Sequence, residues 1–259
     1  MPATTLPPSG DLPERAPGTP GGPGASVAPS GAAEAAGAPV AVAKTCDARG
    51  MAEIHRMFKA GFGEGRELVI GVAEGDGVHA DVVADHLAML STGLHAHHEG
   101  EDTLLWEPLQ QRAPSCSVHV ERMKEQHAQL LVHLTALDGA LPAWRASGRA
   151  ADAAGVLAAL DGVNAALAAH LPDEESNIVP VMETVITQQE VDALADHGRK
   201  ATPKGKMFVQ LGAILAAQPD GGDEWQREHL PPPVRLLWRW VGRPKYEANR
   251  AELVGDRRP

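Results

Sequence analysis

The sequence predicts an all-α protein. Its frame is an antiparallel up-and-down four-helix bundle with a disordered N-terminal arm and a short helical C-terminal extension. Three observations carry this. The 259-residue chain is 43% apolar yet holds only three Phe, five Trp and one Tyr, so its core must be built from Leu, Val, Ala and Met. Its many alanines favour helix over strand. Apolar residues also recur at helical spacing through four long stretches parted by Gly, Pro and Ser.

The elements follow in chain order. Residues 1–40 contain nine Pro and seven Gly and almost no large apolar side chain. Such a segment cannot bury enough surface to offset its ordering entropy, so residues 1–44 read as a solvated arm. The bundle spans 45–185. Its first helix carries Ile54, Met57, Phe58, Phe62, Leu68 and Val69, weakened by Gly61, Gly63 and Gly65. Gly75-Asp76-Gly77 breaks the pattern, and a second helix runs from about Val82 to Gln111 with Val83, Leu87, Leu90 and Leu94 in one stripe. After Pro114-Ser115 a third helix, about Val118–Trp144, carries Met123, Leu130, Leu134, Leu137 and Leu141 until Ser147-Gly148 ends it. The fourth, about Ala151–Glu183, carries Leu157, Leu160 and Leu167, with Pro172 and Pro180 interrupting it. Residues 186–259 hold shorter pieces around Gln188–His197, Met207–Ala217 and Val234–Val241, too few in apolar residues for a core of their own.

Charge narrows the function. The net charge is -11, but residues 198–259 hold 12 Lys and Arg against 7 Asp and Glu, a net of +5. An acidic chain is a poor general binder of nucleic acid. The basic extension is expected to dock on the acidic bundle. An interfacial helix built from Arg235, Arg239, Arg243, Trp238 and Trp240 is the lesser reading, and membrane contact is not expected. Cys46 and Cys116, without CxxC spacing, argue against a thiolate zinc site and for a reducing compartment. With no secretory signal pattern and no apolar run near the roughly 20 residues a bilayer requires, the expected location is the cytoplasm.

Twelve histidines stand out. Two stretches, His97-His98-Glu99-Gly100-Glu101-Asp102 and His170-Leu171-Pro172-Asp173-Glu174-Glu175, each contain HxxxE. On a helix, positions i and i+4 share a face, so an imidazole and a carboxylate there can reach one metal or a metal pair. His55 precedes His97 by 42 residues and His127 precedes His170 by 43. Each half of the chain thus pairs a one-histidine helix with an HxxxE helix. His55, His97, Glu101, His127, His170 and Glu174 suit two ions, each taking two imidazoles and sharing both carboxylates. With no thiolate, the set suits iron or manganese, with zinc an alternative. His98 rivals His97, but the i+4 relation favours His97. His86 lies about 16 Å up the helix from His97, too far to share the site. Glu99, Asp102, Asp173 and Glu175 are candidates to orient a ligand imidazole or to face solvent.

These residues resemble the hemerythrin-like, HHE cation-binding proteins. The resemblance rests on IHRMF at 54–58, HHEGEDTLLWEPL at 97–109, EQHAQL at 125–130 and HLPDEESNIVPV at 170–181, covering about 47–185. The later DHGRK and LPPPVRLLWRWVGR stretches resemble the C-terminal extension of a bacterial subgroup. The family implies a non-haem di-iron centre: His55 and His97 on one iron, His127 and His170 on the other, Glu101 and Glu174 bridging. It implies a small diatomic or peroxide ligand (O2, NO or H2O2), with any electron donor unidentified. The chain departs from the oxygen carriers, which present HxxxH on the third helix. Here Met123 and Leu131 stand four residues from His127. One histidine fewer leaves more open coordination and favours redox chemistry or sensing over carriage. Peroxidase-like, catalase-like or NO-reducing turnover is the alternative, and an iron-handling or scaffold role a further one. Pro172, between two expected ligands, should kink its helix and disturb the pairing of His170 with Glu174.

Overall fold

A computed structural model describes residues 43–255. Residues 1–42 of the expected arm lie outside the described residues. Among those described there are helices and turns and no strand. The four long helices are α1 (Arg49–Ile70), α2 (Gly77–Gly100), α4 (Ser117–Ser147) and α5 (Ala150–Asn177), with the short α3 (Trp106–Arg112) between the second and third. α1 packs on α2 and α5, and α4 on α2 and α5, which closes the ring of a four-helix bundle.

Local chemistry sets the ends. α2 begins at Gly77, earlier than Val82, because Asp76 caps it: its carboxylate accepts from the His79 amide at 3.0 Å. α4 ends on Gly148, whose φ of +61° is a left-handed cap. The expected second helix is two. A π-helical turn, Glu101–Leu105, separates α2 from α3. The fourth also differs from expectation. α5 runs unbroken through Pro172, and the break comes at Asn177–Val179, where Pro180 opens the short α6 (Val179–Val185).

Two apolar clusters fill the bundle. The larger includes Phe58, Phe62, Leu87, Leu90, Leu94, Leu130, Leu134, Leu160 and Leu167. The smaller joins Met51, Leu105, Trp106, Leu109, Met123, Ile178 and Met182. On every long helix a polar position falls between them: His55 after Met51, His97 to Glu101 before Leu105, His127 after Met123, and His170 to Glu174 before Ile178. The bundle is thus crossed by one polar layer. The run Ala150–Val185 is, against expectation, long and apolar enough on composition to cross a bilayer. It is a core helix instead: Val156, Leu160, Val163, Leu167 and Leu171 sit in the larger cluster.

The remaining chain forms α7 (Gln188–Lys200), α8 (Met207–Ala216), α9 (Asp223–His229), α10 (Pro232–Leu237), a π-helical turn at Trp238–Gly242 and α11 (Arg243–Val254). α7 starts with a capping box, Thr187 and Glu190 each serving the other's backbone amide. α7 lies on α2, α8 on α1, and α11 on α2 and α8. Arg250 forks onto Glu64 at 2.5 and 2.7 Å, and Lys206 bonds Asp85. Arg235, Arg239 and Arg243 do not dock this way: Arg243 pairs with Glu247 of its own helix, and the other two meet no carboxylate among the described residues.

Candidate metal centre

All six residues singled out by spacing meet in the polar layer. His55, Glu101, His127, His170 and Glu174 are buried, and the His97 side chain is 12% exposed. Glu101 reaches His97 Nε2 with one oxygen, at 3.1 Å, and His127 Nε2 with the other, at 3.4 Å. Glu174 Oε2 lies 3.3 Å from His55 Nε2 and 3.4 Å from His170 Nε2. Each carboxylate therefore spans the two histidine pairs. Pro172 does not part His170 from Glu174. The helix holds its course, so the i and i+4 side chains still face each other.

A seventh residue joins them, one that spacing had set aside. His98 is buried, its ring stacked on His127 at 4.2 Å and set edge-on to His170 at 5.2 Å. Its Nε2 has no hydrogen-bond partner. Ligand atoms fall into two groups, each within 4.8 Å of one another: His98, Glu101, His127 and His170, and His55, His97, Glu101 and Glu174. Glu101 belongs to both. The available signal was the i, i+3 relation of His98 to Glu101. Both histidines precede the same acid on the inner side of one helix, and the π-helical turn begins at that acid.

Outer partners aim the imidazoles. His55 Nδ1 bonds Glu175 at 2.9 Å, His127 Nδ1 bonds Asp102 at 2.8 Å and His170 Nδ1 bonds Gln126 at 3.1 Å. With Nδ1–H donating outward, each Nε2 turns its lone pair to the centre, the arrangement metal-binding histidines adopt. Asp102 also accepts from Trp106 Nε1 at 2.7 Å, which braces it. Of the four acids left undecided by the sequence, Asp102 and Glu175 hold histidines directly. Asp173 bonds Gln126 and so acts one step further out, while Glu99 is exposed. The other histidines lie apart, His86 on Glu64, His95 on Asp138 and His197 near Glu99.

The electrostatics call for cations. Both oxygens of Glu101 and of Glu174, and the Nε2 atoms of His98, His127 and His170, are buried without a hydrogen-bond partner. Burial and the nearby Glu174 push the Glu101 carboxyl up to about 8. Burial would raise Glu174 too, but His55 and the other imidazoles hold it down to about 2. Burial drives His97 down to about 3 and His170 to about 4, reinforced by neighbouring imidazoles, and His98 well below its usual range. His55 and His127 go the other way against burial. Glu174 and Glu175 take His55 up to about 10, and Asp102 and Glu101 take His127 to about 9. Five imidazoles and two carboxylates, without thiolate, form a donor set fit for first-row divalent metals. The family model "Hemerythrin HHE cation binding domain" matches residues 47–182. Curated proteins and solved structures give no match.

Proposed function

The chain belongs to the hemerythrin HHE cation-binding family, and from that premise we propose that it holds two iron ions and binds or senses O2, NO or peroxide. His55 and His97 would hold one iron and His98, His127 and His170 the other, with Glu101 and Glu174 shared between them. The carrying observation is the pair of four-residue groups that share Glu101, with Glu174 spanning both sides. Manganese or zinc would suit the same donors.

Bound iron supplies reversible redox change and open positions for a small ligand. The residues supply the rest. The group of His55 and His97 has one imidazole fewer, and His97 is its least buried member, so a small ligand would approach beside those two residues. Phe58, 5.5 Å from the His97 ring, and the Leu-rich cluster below exclude water. Turnover as an enzyme had its motive in a missing histidine; in this reading His98 would supply a third imidazole beside His127 and His170. Buried, unpaired Cys46 and Cys116 support a cytoplasmic location.

The test is elemental analysis of protein made in iron-supplemented medium, beside the His97→Ala/His170→Ala variant, then absorption spectra of the reduced, loaded protein with each ligand. About two irons per chain, lost in the variant, and a ligand-dependent charge-transfer band are expected. Equal metal in both proteins, or spectra indifferent to all three ligands, would refute the reading.

A further inference from the structure

The extension carries a surface that the metal centre does not explain. From Leu230 to Lys245 there are four cations, Arg235, Arg239, Arg243 and Lys245, and no Asp or Glu, in a chain of net charge -11. The same stretch gathers exposed apolar side chains. Val234, Leu236, Leu237, Trp240 and Val241 are between 37% and 68% exposed, Trp240 the most. Elsewhere among the described residues exposed large apolar side chains occur singly or in pairs, which is ordinary for a protein surface. Five within eight residues form a patch that calls for a partner.

Local geometry keeps the patch outward. Trp238 turns in: it is buried, lies over Gly242 and sits 6.4 Å from the Tyr246 ring. A Cβ on Gly242 would meet the Trp238 ring at 2.4 Å and Phe208 at 2.7 Å, so this glycine is what lets the π-helical turn seat there. With Trp238 as the anchor, Trp240, two residues on, projects to solvent. The Arg239 guanidinium lies 5.4 Å over its ring. Leu236 and Leu237 precede Trp240 and Val241 by four residues each, on the same side. Arg235, Arg239 and Arg243 form a stripe of their own at the same spacing.

We propose that this patch is a docking surface for an anionic phospholipid membrane. The choice follows from charge and polarity together. A second copy meeting the patch with its own would set four cations against four. An acidic protein face would satisfy the arginines and leave five apolar side chains unburied. An anionic bilayer surface answers both: acyl chains take Leu236, Leu237 and Val241, the interface takes the Trp240 indole, and headgroup phosphates take Arg235 and Arg239. The short element lies on the surface and does not span it. It would hold the small-ligand site beside the membrane.

The test is flotation of the full-length, iron-loaded protein with vesicles of pure phosphatidylcholine or with about one-third phosphatidylglycerol. Association with the anionic vesicles is expected, falling steeply in about 0.5 M salt. Trp240→Ser/Leu237→Ser should lower partitioning at least about tenfold, and Arg235→Gln/Arg239→Gln should erase the preference for anionic lipid. Trp240→Phe should retain partitioning but lose its share of quenching by brominated lipid. Unchanged iron content and helicity show that the variants are folded. Three outcomes overturn the proposal: no association with either vesicle, equal association of wild type and the Ser variant, or a solution dimer that the Ser variant dissociates while vesicles are ignored.

Discussion

Glu101 and Glu174 bury four carboxylate oxygens, none with a hydrogen-bond donor. Ionised carboxylates so placed require cations nearby. Without metal, protons serve: the neighbours of His55 and His127 hold those imidazoles up near 10 and 9, one in each group. Metal ions and protons then compete for the same Nε2 lone pairs. Glu101, pushed up to about 8, also keeps a proton near pH 7, so loading Fe(II) there should release about three protons per chain, read with a pH indicator in weak buffer, and affinity should fall as pH falls. Release of none would contradict this electrostatic picture. His98 gives a second test. If its Nε2 is a ligand, His98→Ala should drop iron content from about two per chain to about one, with affinity down at least about tenfold. An unchanged content would reduce His98 to packing. The six residues named from sequence were legible because i, i+4 pairs and equal histidine intervals are one-dimensional patterns. His98 was passed over because His97 had already satisfied the i+4 relation to Glu101. Whether a helix can turn two adjacent histidines to one centre depends on how it faces its neighbours, which spacing alone does not encode.

At the scale of elements, the helices were legible and their interruptions only partly so. Apolar spacing and Gly or Pro punctuation located all four long helices, although α2 starts at Gly77 and ends at Gly100 where one helix from about Val82 to Gln111 was expected. The π-helical turn at Glu101–Leu105 left no mark in the pattern, since Leu105 and Leu109 keep the spacing of a plain helix. Pro172 misled in the opposite sense. A proline removes one amide donor and crowds the preceding turn, yet α5 is held on both sides of it by packing and by His170, Glu174 and their partners. Glycines show the same dependence on context, and two of them predict opposite signs. Gly148 has φ of +61°, and a Cβ there would stand 2.6 Å from the Asp76 carbonyl carbon. Gly148→Ala should lose about 1–3 kcal/mol through strain at the α4 cap. Gly63 is exposed on α1 with nothing within 4 Å of an added Cβ. Gly63→Ala should gain about 0.5–1 kcal/mol. Chemical denaturation of the two variants checks both; a stabilised Gly148→Ala would show that the cap needs no left-handed residue.

At the scale of the whole molecule, the bundle and its extension are joined by half-buried charge as well as by apolar contact. Glu64 on α1 receives the Arg250 fork from α11, and His86 Nε2 of α2 stands 3.7 Å from the same carboxylate. The neighbouring α1 and α2 and the sequence-distant α11 thus converge on one side chain. Burial would raise the Glu64 carboxyl, but His86 and Arg250 outweigh it and hold the group down to about 2, against an ordinary value of 4.5. A carboxyl depressed by folding binds its proton first in the unfolded chain. Its stabilisation is complete above the unfolded value and is lost as pH falls toward the folded one. Glu64→Gln keeps the shape and removes the titration. Wild type should be the more stable near pH 6, and its advantage in thermal unfolding should shrink steadily between about pH 5 and pH 2. Cleavage by an acid-active protease between α7 and α8 should rise over the same interval as α11 loosens from α1. A wild-type advantage that stays constant from neutral to acid pH would mean that shape, and not the Glu64 charge, fastens the extension to the bundle.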